Sequence, residues 1–141
     1  MSWIVYALVS SVILATADFL VKMAAGKIPT SLGLIFQGVF ALAIGLGWLL
    51  WQRNQGLSQS MQLSGLAAGV GVGLAFPLVT LGLYITFGSG APVSVASPVI
   101  RLGGLLLVSL VGLTLLREPL TWRYAMGMLL ACGGIYLIIT R

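Results

Sequence analysis

GSGAPVSVASPVIRLGGLLLVSLVGLTLLREPLTWRYAMGMLLACGGIY, from Gly88 to Tyr136, carries the punctuation that decides the fold. It reads as a breaker at Gly88-Ser89-Gly90-Ala91-Pro92, an apolar helix interrupted by Pro98 and Arg101, a charged turn at Arg117-Glu118-Pro119, and a last helix opened by Thr121. Glycine loosens the chain at the breaker, and proline cannot continue a helix from before it. Arg101 stands halfway along an apolar span. A charge at that depth costs about 3 kcal/mol or more, so its guanidinium must point into a helix bundle, a water-filled cavity or a subunit interface.

The rest of the chain has the same character. Of 141 residues, 60% are hydrophobic and 6% charged. Soluble domains carry roughly a quarter charged residues, so there are too few charges here to coat a surface facing water, and an integral membrane protein is expected. Seven Lys and Arg against two acids give +5. The basic residues are scattered singly at the ends of apolar runs, as around membrane helices, and not clustered as a nucleic-acid partner requires. With no His and a single Cys, Cys132, in an apolar run, the usual ligands of zinc, copper or haem are missing. No metal and no cofactor is expected, and no nucleophile and base pair or phosphate loop marks an enzyme.

A spanning helix needs about 20 largely apolar residues. Five such stretches are found, at about 3–25, 31–51, 63–87, 91–116 and 122–139, making one all-α, polytopic membrane domain over residues 1–141. The first resembles a signal peptide at Ala15-Thr16-Ala17, but it lacks a basic start and its apolar pattern resumes at Phe19, so it reads as a retained helix. Gly26-Lys27-Ile28-Pro29 closes it, and Thr30 or Ser31 is expected to cap the second, which ends with Trp48 and Trp51 at interfacial depth. A polar connection, Gln52 to Gln62, follows. From Asn54 to Ile100 there is no charged residue, and the breaker is what folds that run back on itself. Basic residues near helix ends divide evenly, with Arg53, Arg117 and Arg123 on one side and Lys22, Lys27 and Arg141 on the other. Such a balance does not fix orientation. Either a partner sets it, or the chain inserts both ways and pairs with an inverted copy. With Lys22 inside the membrane, the count prefers the N-terminus inside.

Polar residues spaced three or four apart share a helix face. In the first helix Ser11, Ala15, Asp18 and Lys22 do so, and Asp18 lies roughly 22 Å beyond Trp3, within hydrocarbon. It is either paired locally with Lys22 or part of a pathway. In the fourth, Ser94, Ser97 and Arg101 share a face with Pro98 beside them, and Arg101 is about 14 Å from Pro92. Arg101 either binds an anionic group or is neutralised by Asp18. Gly65, Gly69 and Gly73 make a GxxxGxxxG face on the third helix, continuing through Pro77, Thr80 and Tyr84, suited to tight helix packing. Gly33, Gln37, Ala41 and Gly45 repeat that register in the second, with Gln37 an amide able to bond across helices, and Gly127, Ala131 and Gly134 in the fifth. Glu118, between two arginines near a helix start, reads as structural.

These features together resemble a single EamA-type repeat of the drug/metabolite transporter superfamily. The likeness is carried by Pro92-Val93-Ser94-Val95-Ala96-Ser97-Pro98, by the turn Leu116-Arg117-Glu118-Pro119-Leu120-Thr121, by Gly127, Gly133 and Gly134 in the last helix, and by Ala17-Asp18-Phe19-Leu20-Val21-Lys22 at the end of the first. It departs from the family pattern at Arg101 and Asp18, both usually uncharged there. Small multidrug resistance relatives carry a glutamate in the first helix, at a position Asp18 does not match. Larger members fuse two such repeats in inverted orientation around a central cavity and move metabolites by alternating access.

The resemblance thus implies a small secondary transporter, or a flippase for a lipid-linked sugar, of an inner or plasma membrane, working as an antiparallel homodimer or with a partner half. Its substrate would be a metabolite, anionic or lipid-linked. Arg101 would hold the anionic group, Asp18 and Lys22 would gate or couple, and Gln37, Tyr84, Ser94 and Ser97 would contribute polar contacts in a cavity that Pro98 opens. The competing expectation is a non-transporting accessory subunit packed against a larger membrane complex through the glycines of the third helix.

Overall fold

The computed structural model describes residues 2–56, 62–115, 117 and 119–140. Five helices account for nearly all of it: α1 Ser2–Ala24, α2 Thr30–Asn54, α3 Leu63–Gly88, α4 Val93–Thr114 and α5 Trp122–Ile139, with no strand among the described residues. The shortest, α5, has 18 residues, about 27 Å at 1.5 Å per residue and close to the thickness of a hydrocarbon core. All five are long and apolar enough to cross a membrane, and the protein is an all-α integral membrane protein. Leu116, Glu118, Arg141 and part of the Gln52 to Gln62 connection lie outside the described residues.

Local chemistry sets most helix ends. α1 runs unbroken through Ala15-Thr16-Ala17. It then closes in a tight turn where the amides of Lys27 and Ile28 both donate to the Ala24 carbonyl, at 3.0 and 3.2 Å. Gly26 takes φ +78 in that turn, a conformation side chains with a Cβ rarely adopt. The expected hydroxyl cap of α2 is not formed. Pro29 is the residue before the helix, and its carbonyl receives the amides of Leu32 and Gly33 at 3.0 and 3.3 Å with no side-chain cap. A cap hydroxyl works from extended backbone, and Thr30 is already the first helical residue. α4 begins the same way after Pro92, whose carbonyl receives Val95 and Ala96. α5 does have a side-chain cap, the Thr121 hydroxyl accepting from the Tyr124 amide at 3.3 Å.

The chain divides into two compact units, Met1–Ser89 and Gly90–Arg141. In the first, α1 and α2 each pack on α3. Burial there is confined to one end, where the C-terminal turns of α1 and α3 meet the start of α2. Leu83, Tyr84 and Phe87 are buried, as are Gly33 and Asp18. Away from that end every described residue of 3–17, 38–51 and 62–79 is exposed. Trp48 and Trp51 pack as a tilted aromatic pair, ring centres 4.9 Å apart, near the far end of α2.

In the second unit α4 packs on α5. Gly112 is the buried residue of α4, and an apolar groove of about 520 Å³ runs between the C-terminal half of α4 and the N-terminal half of α5. It is lined by leucines of α4 (Leu106, Leu110, Leu113), by Leu120 of the turn, and by the α5 face from Tyr124 to Cys132.

Candidate functional site

The junction of α1, α2 and α3 is where the first unit gathers polar groups, and each reaches it for a local reason. The helical repeat places Asp18 and Lys22 one turn apart on α1. Asp18 is 3% exposed, although a buried carboxylate is tolerated only when something answers it. It is engaged by a neighbouring group, as is Lys22.

The Lys22 ammonium reaches across to α3. Its Nζ donates to the carbonyl of Phe87 at 3.3 Å and lies 5.9 Å from the centre of the Phe87 ring. The last four carbonyls of a helix have no intrahelical partner and carry the negative end of the helix dipole. A lysine is therefore well placed there, with ring attraction added to the hydrogen bond. Phe87 is the most enclosed of the buried side chains, at 2% exposure.

Tyr84, one turn before Phe87, closes the other side. A Cβ built on Gly33 would fall within the hydroxyl end of the Tyr84 ring, so the absence of a side chain at Gly33 is what lets the phenol seat against α2. Gln37 lies one turn further along α2. Its Oε1 is buried and has no hydrogen-bond partner among the described residues, an arrangement that costs about 1–3 kcal/mol of desolvation if nothing else supplies a donor.

Four of the residues singled out in the sequence, Asp18, Lys22, Gln37 and Tyr84, thus belong to the three helix ends of this junction. Ser11 does not add to it, since its hydroxyl bonds back to the Ala7 carbonyl at 2.9 Å, and Thr80 does likewise to Phe76 at 3.1 Å. Phe87 and the pairing of Gly33 with Tyr84 were not anticipated. The nearest signal in the sequence is the lysine itself, a cation in the last turn of α1.

The other candidates lie on α4 in the second unit. Ser94 is exposed, while Ser97, Pro98 and Arg101 are half-buried. Ser97 and Arg101 are engaged by neighbouring groups. Pro98 sits inside α4 and has no amide proton, so the Ser94 carbonyl loses its helical donor. Such a carbonyl is free to serve a polar ligand where it lines a cavity.

The glycine face of α3 behaves differently from Gly33. Nothing among the described residues lies within 4 Å of a Cβ built at Gly65, Gly69 or Gly73, and the same holds for Gly45, Gly127 and Gly134. No group of His, Cys, Asp and Glu able to hold a metal is found among the described residues.

Residues 1–140 match the model of the EamA-like transporter family. Searches of curated proteins and of solved structures found no match. A family match spanning almost the whole chain, on five apolar helices, makes this protein a member of the EamA-like transporter family, an integral membrane transporter of the drug/metabolite type.

Proposed function

We propose that the chain is one half of a secondary transporter that moves a metabolite bearing an anionic group by alternating access, paired with an inverted copy of itself or with a partner half in an inner or plasma membrane. The observation that carries this reading is the α1–α2–α3 junction, tied by Lys22 on the Phe87 carbonyl and by Tyr84 on Gly33, against the exposure of the same helices everywhere else. A bundle joined at one end is closed on one side and free on the other.

In this reading the junction is the gate. Opening it requires Lys22 to leave the Phe87 carbonyl, and a substrate shifts that equilibrium only by binding the open form better than the closed one. An anionic group does so by giving the ammonium a full opposite charge in place of a carbonyl dipole. Arg101 of the second unit holds an anionic group at mid-depth, with Ser94, Ser97 and the carbonyl that Pro98 releases as further contacts. Gln37 Oε1 accepts from a hydroxyl or amine of the substrate, and Asp18, one turn from Lys22 on α1, orients it. The inverted partner supplies the equivalent gate on the other side.

The test begins with the size of the detergent-solubilised species. A dimer of this chain alone, or one with a partner half, is expected; obligate co-purification within a larger complex supports an accessory role. The purified species is then screened for thermal stabilisation by organic phosphates, carboxylates and neutral metabolites. Any anion that stabilises it is assayed for exchange in proteoliposomes. Exchange that survives unchanged in both Arg101→Gln and Lys22→Met would remove the assigned roles.

A further inference from the structure

The groove of the second unit belongs to no part of this gate, and its dimensions and surroundings are specific. Along α4 it runs from Leu106 to Leu113, and along α5 from Tyr124 to Cys132, spans of about 10 and 12 Å at 1.5 Å per residue. It starts at Leu120, just outside the beginning of α5, and ends near the middle of both helices. Half of a hydrocarbon core is about 15 Å, so the groove follows most of one leaflet from its surface inward.

We propose that this groove is a lipid seat. It holds an acyl chain of an anionic phospholipid, whose phosphate meets Arg117 and Arg123 at the membrane surface.

Among the described residues the lining is apolar except for the end of Tyr124. About 520 Å³ spread over about 11 Å of helix gives room for extended hydrocarbon. Among the described residues, leucine, tyrosine and methionine line most of the groove and Ala125 is the small residue toward the surface, whereas helices approach closely in membranes through stripes of small residues.

The surface end supplies the headgroup chemistry. Arg117 and Arg123 are both exposed and flank Leu120 at its mouth in sequence, with Trp122 exposed between them. Two arginines against one acid over 117–123 leave a positive balance. Tryptophan at this level is the usual interfacial anchor, and arginine attracts anionic headgroups by roughly fivefold in local concentration for each residue near the surface.

Cys132 lines the groove and is the single cysteine of the chain, so it reports on the occupant. The full-length protein is labelled there with bimane and reconstituted in phosphatidylcholine vesicles containing ten mole percent of a lipid dibrominated on its acyl chains. Brominated phosphatidylglycerol is expected to quench the label several-fold more effectively than brominated phosphatidylcholine. Arg117→Gln with Arg123→Gln should equalise the two lipids, while Ala125→Phe, which fills the groove, should reduce quenching by both. Circular dichroism melts confirm that each variant is folded. Equal quenching by the two lipids in the unmodified sequence overturns the proposal. So does an absence of quenching, or a Cys132 disulfide between two copies, either of which assigns the groove to protein.

Discussion

The two ends of α3 carry opposite kinds of surface. Its N-terminal half displays Gly65, Gly69 and Gly73, the most regular small-residue pattern in the chain, and in this chain nothing among the described residues comes within 4 Å of where their side chains would be. Its last turns display Leu83, Tyr84 and Phe87, an ordinary apolar and aromatic set, and these are the buried side chains of the helix. The contact inside the protomer is made by large residues closing on one glycine of another helix, Gly33. Without a hydrophobic driving force between helices in lipid, association depends on close fit, and a tyrosine seated on a missing side chain is such a fit. A glycine stripe states that a close approach is possible; it does not state with whom.

The largest effect is expected where that fit is destroyed. Gly33→Val puts branched carbon into the Tyr84 ring, and overpacking of this kind typically costs about 1–3 kcal/mol. A fall in melting temperature of the detergent-solubilised protein should follow, and Tyr84→Ala in the same chain should restore part of it, because the two positions share one contact. If Gly33→Val melts like the unmodified protein, the buried end of α3 is not what holds the first unit together.

Lys22→Met comes next. It keeps an apolar stem out to Cε and removes the ammonium from the Phe87 carbonyl, a hydrogen bond to a charged group worth about 1.5–3 kcal/mol when well formed and less at this partly exposed position. Lys22→Arg should retain most of the stability. Under the gate reading Lys22→Met also leaks, so proteoliposomes carrying it should lose an anionic solute faster than those with Lys22→Arg.

How much of this could be read without coordinates differs between the two ends. Five apolar helices, the breaker before Pro92 and the Thr121 cap are legible because length, proline and hydroxyl chemistry act locally. Membrane residence is legible because composition alone decides it. The bond from Lys22 to Phe87 is not, since it joins residues 65 positions apart through a backbone carbonyl that any residue could supply. Nor does anything distinguish Gly33 among 19 glycines until Tyr84 is placed against it. Helical spacing marks Gln37 and Tyr84, and the cost of burial marks Asp18, each within one helix, whereas their meeting is a property of tertiary structure.

Gln37→Met sharpens the comparison with an effect of opposite sign. An orphaned buried carbonyl oxygen is a penalty, and an apolar group of the same shape removes it, so folding should gain about 1 kcal/mol. If Gln37 serves substrate, transport should fall while the melting temperature rises. A variant that gains stability and keeps full exchange would return Gln37 to the helix interior as a tolerated imperfection.

The smallest effect on the protomer falls at the exposed end of α3. Gly69→Ala adds a methyl group where no described residue is within 4 Å, and replacing glycine inside a helix typically favours the helix by about 0.5–1 kcal/mol. The isolated protomer should therefore become slightly more stable. The same substitution in a dimer that packs through Gly65, Gly69 and Gly73 should weaken association, and Gly69→Leu should abolish it, shifting the solubilised species to half its size while the separated chains melt no lower than before. Chains that stay paired with Gly69→Leu would leave the glycine stripe facing lipid and put the transporter's second half against some other part of its apolar surface.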